Sequence, residues 1–234
     1  MSEYQKIFDE FNAFLMSIRD INSSKILEYG ISFNLKNLSL QEMYLGTLKN
    51  AERLEEAQKK ESAEAKIAIQ SGIGNFPQTE TSKAYVKSVA YFEAYLNTLY
   101  SLLQVLTKIT LIIYQNSKKQ IDTNSMGDNI GKLLDYLKNQ NRDADSAFTS
   151  YIDQKMGWYQ TFRNNRHKIT HDGSALLFFT ENGEIEFLDY PKNGAGFGNS
   201  NINKQGLENY VKNRVNDVFD FLDFYVKHFR EWTD

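Results

Sequence analysis

The 234-residue chain has no cysteine, only two prolines, Pro77 and Pro191, and three histidines. Without cysteine there can be no disulfide, no thiolate metal site and no cysteine nucleophile, and the composition fits a reducing, cytoplasmic setting. Scarce proline leaves long stretches free to stay helical. Positive charge is not in excess: 27 Lys and Arg stand against 30 Asp and Glu, a formal net charge of −3. That balance excludes broad, charge-driven adhesion to nucleic acid. Nor is there a long run free of polar groups. The least charged stretch, Ser88 to Thr107, carries Glu93, Asn97 and Gln104, which are costly in lipid. It is expected to form a core helix of a soluble protein, with no membrane partner. The N-terminal MSEYQKIFDEF is polar and mixed in charge, unlike a signal peptide.

What is present is helical periodicity. Ile7, Phe8, Phe11, Phe14, Leu15 and Ile18 predict a first helix over about 3–21. A second is expected over about 40–69, its later half AERLEEAQKKESAEAK a charged, exposed arm. GIGNFPQTETS interrupts the pattern, with Thr81 or Ser82 placed to cap a third helix over about 83–114. A short helix, NIGKLLDYLKN, follows a loop. Asp143 or Asp145 then starts one that runs through Phe148, Ile152, Met156, Tyr159 and Phe162, with Gly173 placed to end it. The period then shortens. ALLFF and EIEFLDY flank Asn182-Gly183, a strong hairpin signal. A long amphipathic helix, from Leu207 to Phe229, closes the chain. The expected fold is all-α: an elongated helical bundle in one domain, with one small β-hairpin over about 174–190 before the C-terminal helix.

Three features could carry chemistry. Gly194, Gly196 and Gly198 lie in a glycine-rich loop, but no GK[ST] follows, so the loop lacks the phosphate-cradle pattern. His167 and His171 are one helical turn apart. Lys168 stands where HExxH has its glutamate, and no third ligand is evident, so no metal and no cofactor is expected. The third feature is FRNNRHKITHDGSALL, inside a window (154–171) with no acid but with Lys155, Arg163, Arg166 and Lys168. Cleavage of RNA without a metal needs a group that titrates near neutrality and a fixed cation for the phosphorane charge. His171 and Arg166 are of those types. Five residues on a regular helix turn through about 500°, which sets the two about 140° apart. They converge only if the helix stops before His171 or if two copies meet. The same cations also suit a helix C-terminus facing water. Glu93 and Asn97, one turn apart in apolar sequence, either satisfy local groups or orient a cation such as Arg166 or a histidine.

The segment Arg166-His167-Lys168-Ile169-Thr170-His171 resembles the signature of the HEPN superfamily, an Arg-x4–6-His pattern with a polar residue directly after the arginine. AYFEAYLNTLY resembles the central helix of such domains, and GKLLDYL the shorter helix that often follows it. The resemblance covers about 83–173 and the last helix (204–232), leaving residues 1–80 as a helical elaboration. It implies a homodimer with facing motifs and a metal-independent endoribonuclease of toxin–antitoxin, phage-defence or RNA-processing type. On that carry-over His171 is the acid/base group, Arg166 the phosphate stabiliser and His167 its polar companion. Arg163, Asn164 and Lys168 would bind substrate; the orienting role of Glu93 and Asn97 is read from the residues themselves and not from the resemblance. The implied partners are RNA, a second copy and an antitoxin or other protein. Arg163-Asn164 also reads as the start of the motif, so the choice of arginine stays open. The alternative is a non-catalytic HEPN-like module that binds nucleotide or RNA or scaffolds a partner.

Overall fold

The computed structural model describes residues 3–18, 22–70, 79–116, 130–139, 145–171, 175–189 and 203–233. Within them lie seven helices: α1 (Glu3–Ser17), α2 (Ser23–Gln70), α3 (Thr79–Asn116), α4 (Ile130–Asn139), α5 (Ser146–Lys155), α6 (Gly157–His171) and α7 (Leu207–Thr233). Three strands, β1 (Leu177–Phe179), β2 (Ile185–Asp189) and β3 (Asn203–Gly206), complete the description. The bundle is thus all-α apart from a small sheet just before the last helix. The loop glycines 194, 196 and 198, both prolines and Gly173 lie outside the described residues.

The chain folds into two compact units, each assembled from separate stretches. Unit 1 comprises Met1–Leu38, Leu99–Tyr159 and Arg214–Asp234. Its core is aromatic. Phe11 packs on Phe33 with ring centroids 4.1 Å apart, and Phe8 meets Phe219 edge-on at 5.3 Å. Tyr225 lies beneath Phe11 and Phe14 and exchanges a 2.8 Å hydrogen bond with Thr110. The first helices therefore supply core to this unit and are not appended to it.

The polar centre of unit 1 is Asp145, which is 3% exposed. Its Oδ1 accepts the N–H of Phe148 at 3.1 Å, capping α5 as the sequence suggested. Its Oδ2 accepts the Tyr114 hydroxyl at 2.7 Å and lies 2.8 Å from His228 Nε2. The His228 ring is stacked on Phe224 at 5.3 Å. One carboxylate thus ties α3, α5 and α7 together.

Unit 2 comprises Ser39–Thr98 and Gln160–Asn213. Gly46 of α2 lets α3 come close, since a Cβ there would overlap the Tyr91 ring. The Ser88 hydroxyl donates to the Asn50 carbonyl at 2.8 Å. The charged half of α2 is tied at its far end: Glu61 accepts the Thr81 N–H at 3.0 Å and Lys60 pairs with Glu80 at 3.3 Å. Bonding to Thr81 holds the Glu61 carboxyl below its ordinary pKa, as suits an anion that faces the first turn of α3 from α2.

The sheet order is β1-β2-β3, antiparallel throughout. Phe179 pairs with Ile185 across the expected hairpin, where Thr180 and Gly183 close the turn and Gly183 takes φ 83°. The sequence predicts only this hairpin; the structure adds β3, which pairs Lys204 with Leu188 and Gln205 with Phe187. Phe92, Phe187 and Tyr210 form an aromatic cluster beneath it, Phe187 and Tyr210 meeting at 4.7 Å.

Three boundaries differ from expectation. α3 starts at Thr79, so Thr81 and Ser82, expected as its caps, lie inside it. α2 starts at Ser23, well before residue 40, and the helix expected to lead continuously into the motif is broken. Met156 N–H still bonds the Ile152 carbonyl, but Tyr159 N–H bonds Met156, and α6 restarts at Gly157. The apolar window of α3 would suffice by length and hydropathy to cross a membrane, yet 61% of it is buried inside the protein, as in a core helix.

Removing the Asp145 carboxylate should cost about 3–5 kcal/mol, because it strands buried donors and uncaps α5. Urea midpoints should therefore fall sharply for Asp145→Ala and less for Asp145→Asn. Stability should also decline in alkali. Burial, then the Asp145 charge, pushes Tyr114 well above its ordinary pKa; burial likewise raises Tyr225. Unfolded tyrosines lose their protons near pH 10 while these two keep theirs, so stability falls as pH rises past 10. The slope should reach about 1.4 kcal/mol per pH unit for each. Unfolding curves from pH 8 to 12 would measure it, and Tyr114→Phe should flatten the decline.

Candidate functional site

The motif lies on α6, within unit 2. Phe162, Asn165 and Ile169 recur at helical spacing and are buried, at 0%, 0% and 6% exposure. They fix which side of α6 faces the protein. Asn165 Nδ2 donates to the Tyr210 hydroxyl at 3.4 Å, a long bond.

Arg166 is half-buried beside that inner face. Its Nε donates to Asn97 Oδ1 at 3.0 Å, and the Thr170 hydroxyl reaches the same oxygen at 3.3 Å. Asn97 on α3 thus grips two successive turns of α6. Glu93, one turn earlier on α3, accepts the N–H of Ala175 at 3.0 Å, so it holds the chain beyond the motif. Tyr85, two turns earlier still, accepts the N–H of Leu177 at 3.2 Å. A single face of α3 therefore secures residues on both sides of His171.

His167 and His171 are exposed, with ring centroids 4.7 Å apart. Arg163 is exposed as well, while Lys168 and Asn164 are half-buried, and Gln160 donates to Asn164 Oδ1 at 3.1 Å. α6 remains helical through His171. The early helix end that would bring Arg166 and His171 together within one chain does not occur, so about 140° of helix rotation separates them. Of the residues expected in the site, Asn97 and Arg166 are in contact, and His167 and His171 form a second pair. Lys168 and His171 also occupy the last turn, where the helix dipole favours cations.

Sequence reading missed Asn165, Thr170, Tyr85 and Tyr210. Asn165 was discoverable, since it interrupts the apolar spacing Phe162–Ile169 with a polar group that burial obliges to find a partner. The tyrosines and Thr170 had no comparable signal. Among the described residues no group of three His, Asp or Glu side chains is placed to hold a metal.

A cleft of about 630 Å³ elsewhere in unit 2 is lined by Glu52, Glu55, Glu184 and Glu208 with Lys49 and contains none of the motif residues. Its charge would repel a phosphate backbone. Comparison with protein-family models, with curated proteins and with solved structures finds no match.

Asn97→Ala should remove the bond at Arg166 Nε while leaving the fold intact, at a cost of about 1–3 kcal/mol. In nitrogen-detected NMR spectra the Arg166 Nε–H should be slow to exchange in the native protein and fast in the variant. Asn97→Asp, which keeps the acceptor, should preserve the slow exchange.

Proposed function

We propose that the protein is a metal-independent endoribonuclease of the HEPN type, acting in the cytoplasm in a toxin–antitoxin or phage-defence setting, with its site completed between two copies. The observation that carries this reading is the division of labour on α6. One guanidinium is fixed through Nε by Asn97, and an imidazole pair is exposed to whatever docks on the helix. These are the two kinds of group that RNA cleavage without a metal requires.

In the proposed reaction the ribose 2′-hydroxyl attacks the adjacent phosphorus. The bond to the 5′-oxygen breaks, and a 2′,3′-cyclic phosphate and a 5′-hydroxyl result. His171 moves a proton from the nucleophile or to the leaving oxygen, with His167 beside it. Arg166 stabilises the extra charge on the phosphorane, and Arg163, Asn164 and Lys168 hold flanking phosphates. Because Arg166 and His171 diverge on one helix, the reading assigns the arginine of one copy to the histidine of the other. Asn97 positions the arginine. Glu93 acts one step removed, by anchoring Ala175.

The same divergence favours a second reading, a module that binds nucleotide or RNA without cutting it. Purified protein incubated with mixed RNA in chelator separates the two. The ribonuclease reading predicts cleavage that survives chelator, ends in 2′,3′-cyclic phosphate and is blocked by a 2′-deoxy residue at the cut. His171→Ala should abolish it with little change in binding, and Arg166→Lys should lower it by about 100-fold or more, since an ammonium cannot reproduce the guanidinium fork. Arg163→Ala should chiefly weaken binding. Tight binding without cutting would support the module, and a requirement for divalent ion would reject the enzyme reading.

A further inference from the structure

His167 and His171 present their imidazoles on one exposed stripe of α6, with ring centroids 4.7 Å apart. Among the described residues each ring's contact is with the other. The helix runs unbroken through His171, so the pair keeps the i, i+4 spacing of a regular turn. That spacing puts two nitrogen ligands on one helix face, as in helical zinc motifs. Rings this close need only side-chain rotation to bring one nitrogen of each to about 2.0–2.1 Å from a shared ion.

We propose that these two histidines chelate a divalent late first-row transition ion, Cu²⁺ ahead of Zn²⁺, and that the bound ion switches off the proton transfer assigned to His171. The switch rests on the ribonuclease reading; the chelate does not. Imidazole nitrogen suits copper, nickel and zinc, whereas magnesium and calcium demand several oxygen ligands. At a given nitrogen site copper binds ahead of zinc. Among the described residues no Asp or Glu joins the pair as a third ligand, so water completes the coordination and the ion stays exchangeable. Lys168 occupies the place where the zinc motif carries its glutamate base, so the ion has no hydrolytic role here.

The surrounding cations weaken this site without closing it. Arg166 is drawn toward α3 by Asn97, away from the imidazole pair, and Arg163 is exposed to solvent. Across water, one positive charge a helical turn away lowers a dication's affinity by about tenfold or less. A nitrogen that has given its lone pair to the ion can neither take the proton of the 2′-hydroxyl nor carry one to the leaving 5′-oxygen. The ring's second nitrogen keeps its hydrogen and offers no acceptor either. Binding therefore removes the acid/base group and leaves the guanidinium in place. No bond to RNA is made or broken by the ion.

The test titrates Cu²⁺ alone into the full chain and reads it by electron paramagnetic resonance. One ion per chain is expected, with imidazole nitrogen in its coordination shell, and excess Mg²⁺ should leave it in place. His167→Ala and His171→Ala should each weaken binding by about 30-fold or more, since each removes one of two ligands. Both side chains are exposed, so circular-dichroism melts should not move. The double variant Arg163→His, His171→Ala shifts the pair one turn back along α6 and should recover the binding. His228 offers no competing site, being buried against Asp145. In the same preparation Cu²⁺ should lower RNA cleavage by about 100-fold or more, the usual worth of an acid/base group, and chelator should restore it. Binding indifferent to either histidine, or one ion per two chains, overturns the chelate. Binding that leaves cleavage unaffected overturns the switch. A chain that binds Cu²⁺ through both histidines but never cuts RNA supports the chelate and rejects the ribonuclease reading, and the switch with it.

Discussion

The hydrogen bond from Arg166 to Asn97 fixes how the half-buried guanidinium of α6 is held against α3. α6 could rotate about its axis as far as its buried stripe of Phe162, Asn165 and Ile169 tolerates, and Asn97 removes that freedom by taking Nε of Arg166 and the hydroxyl of Thr170 on one carbonyl. Once the arginine is drawn toward α3, helix geometry turns His167 and His171 away from it. The exposure of the histidines follows from the burial of Phe162, Asn165 and Ile169 on the other side of the helix. The proposed reaction therefore has to draw its guanidinium and its imidazole from diverging sides of α6.

Asp145 fills a comparable role in unit 1. In unit 1 the buried Asp145 takes donors from separate elements, Tyr114, His228 and the Phe148 amide, and in unit 2 the half-buried Asn97 takes two donors from successive turns of α6, Arg166 and Thr170. Such groups add little net energy compared with well-packed aliphatics, but they penalise every arrangement that leaves a donor unpaired. They therefore fix which faces of α3, α5, α6 and α7 meet, while the aromatic core supplies the bulk of the driving force.

How much of this was legible in the sequence follows the physics of each signal. The amphipathic pattern announced α1, α3 and α7, Asp145 announced a cap, and Asn182-Gly183 announced a turn, because each is a local preference with one strong solution. The early start of α2 was hidden because Ile26 and Phe33 on one face and Leu27, Ile31, Leu35 and Leu38 on the other blur a single stripe. β3 was hidden because Asn203–Gly206 has no apolar alternation and owes its conformation to pairing with β2. The motif was visible as a list of residue types, and Asn97 was one of two polar groups on α3 that could orient Arg166, but which of Glu93 and Asn97 meets it, across 69 positions, depends on tertiary packing that periodicity does not encode. The break at Met156 likewise left no proline in the local sequence to mark it.

The claim that one copy's arginine serves the other copy's histidine is tested most directly by mixing two inactive variants, Arg166→Ala and His171→Ala, after brief unfolding and refolding together. In a composite site half of the re-formed dimers are mixed, and each mixed dimer holds one intact arginine–histidine pair. About a quarter of the native RNA-cleaving activity should then return, by the arithmetic of random two-fold pairing. If the mixture stays as inactive as its parents while both variants fold and dimerise normally, the two groups do not act across copies, and the account of the site is wrong.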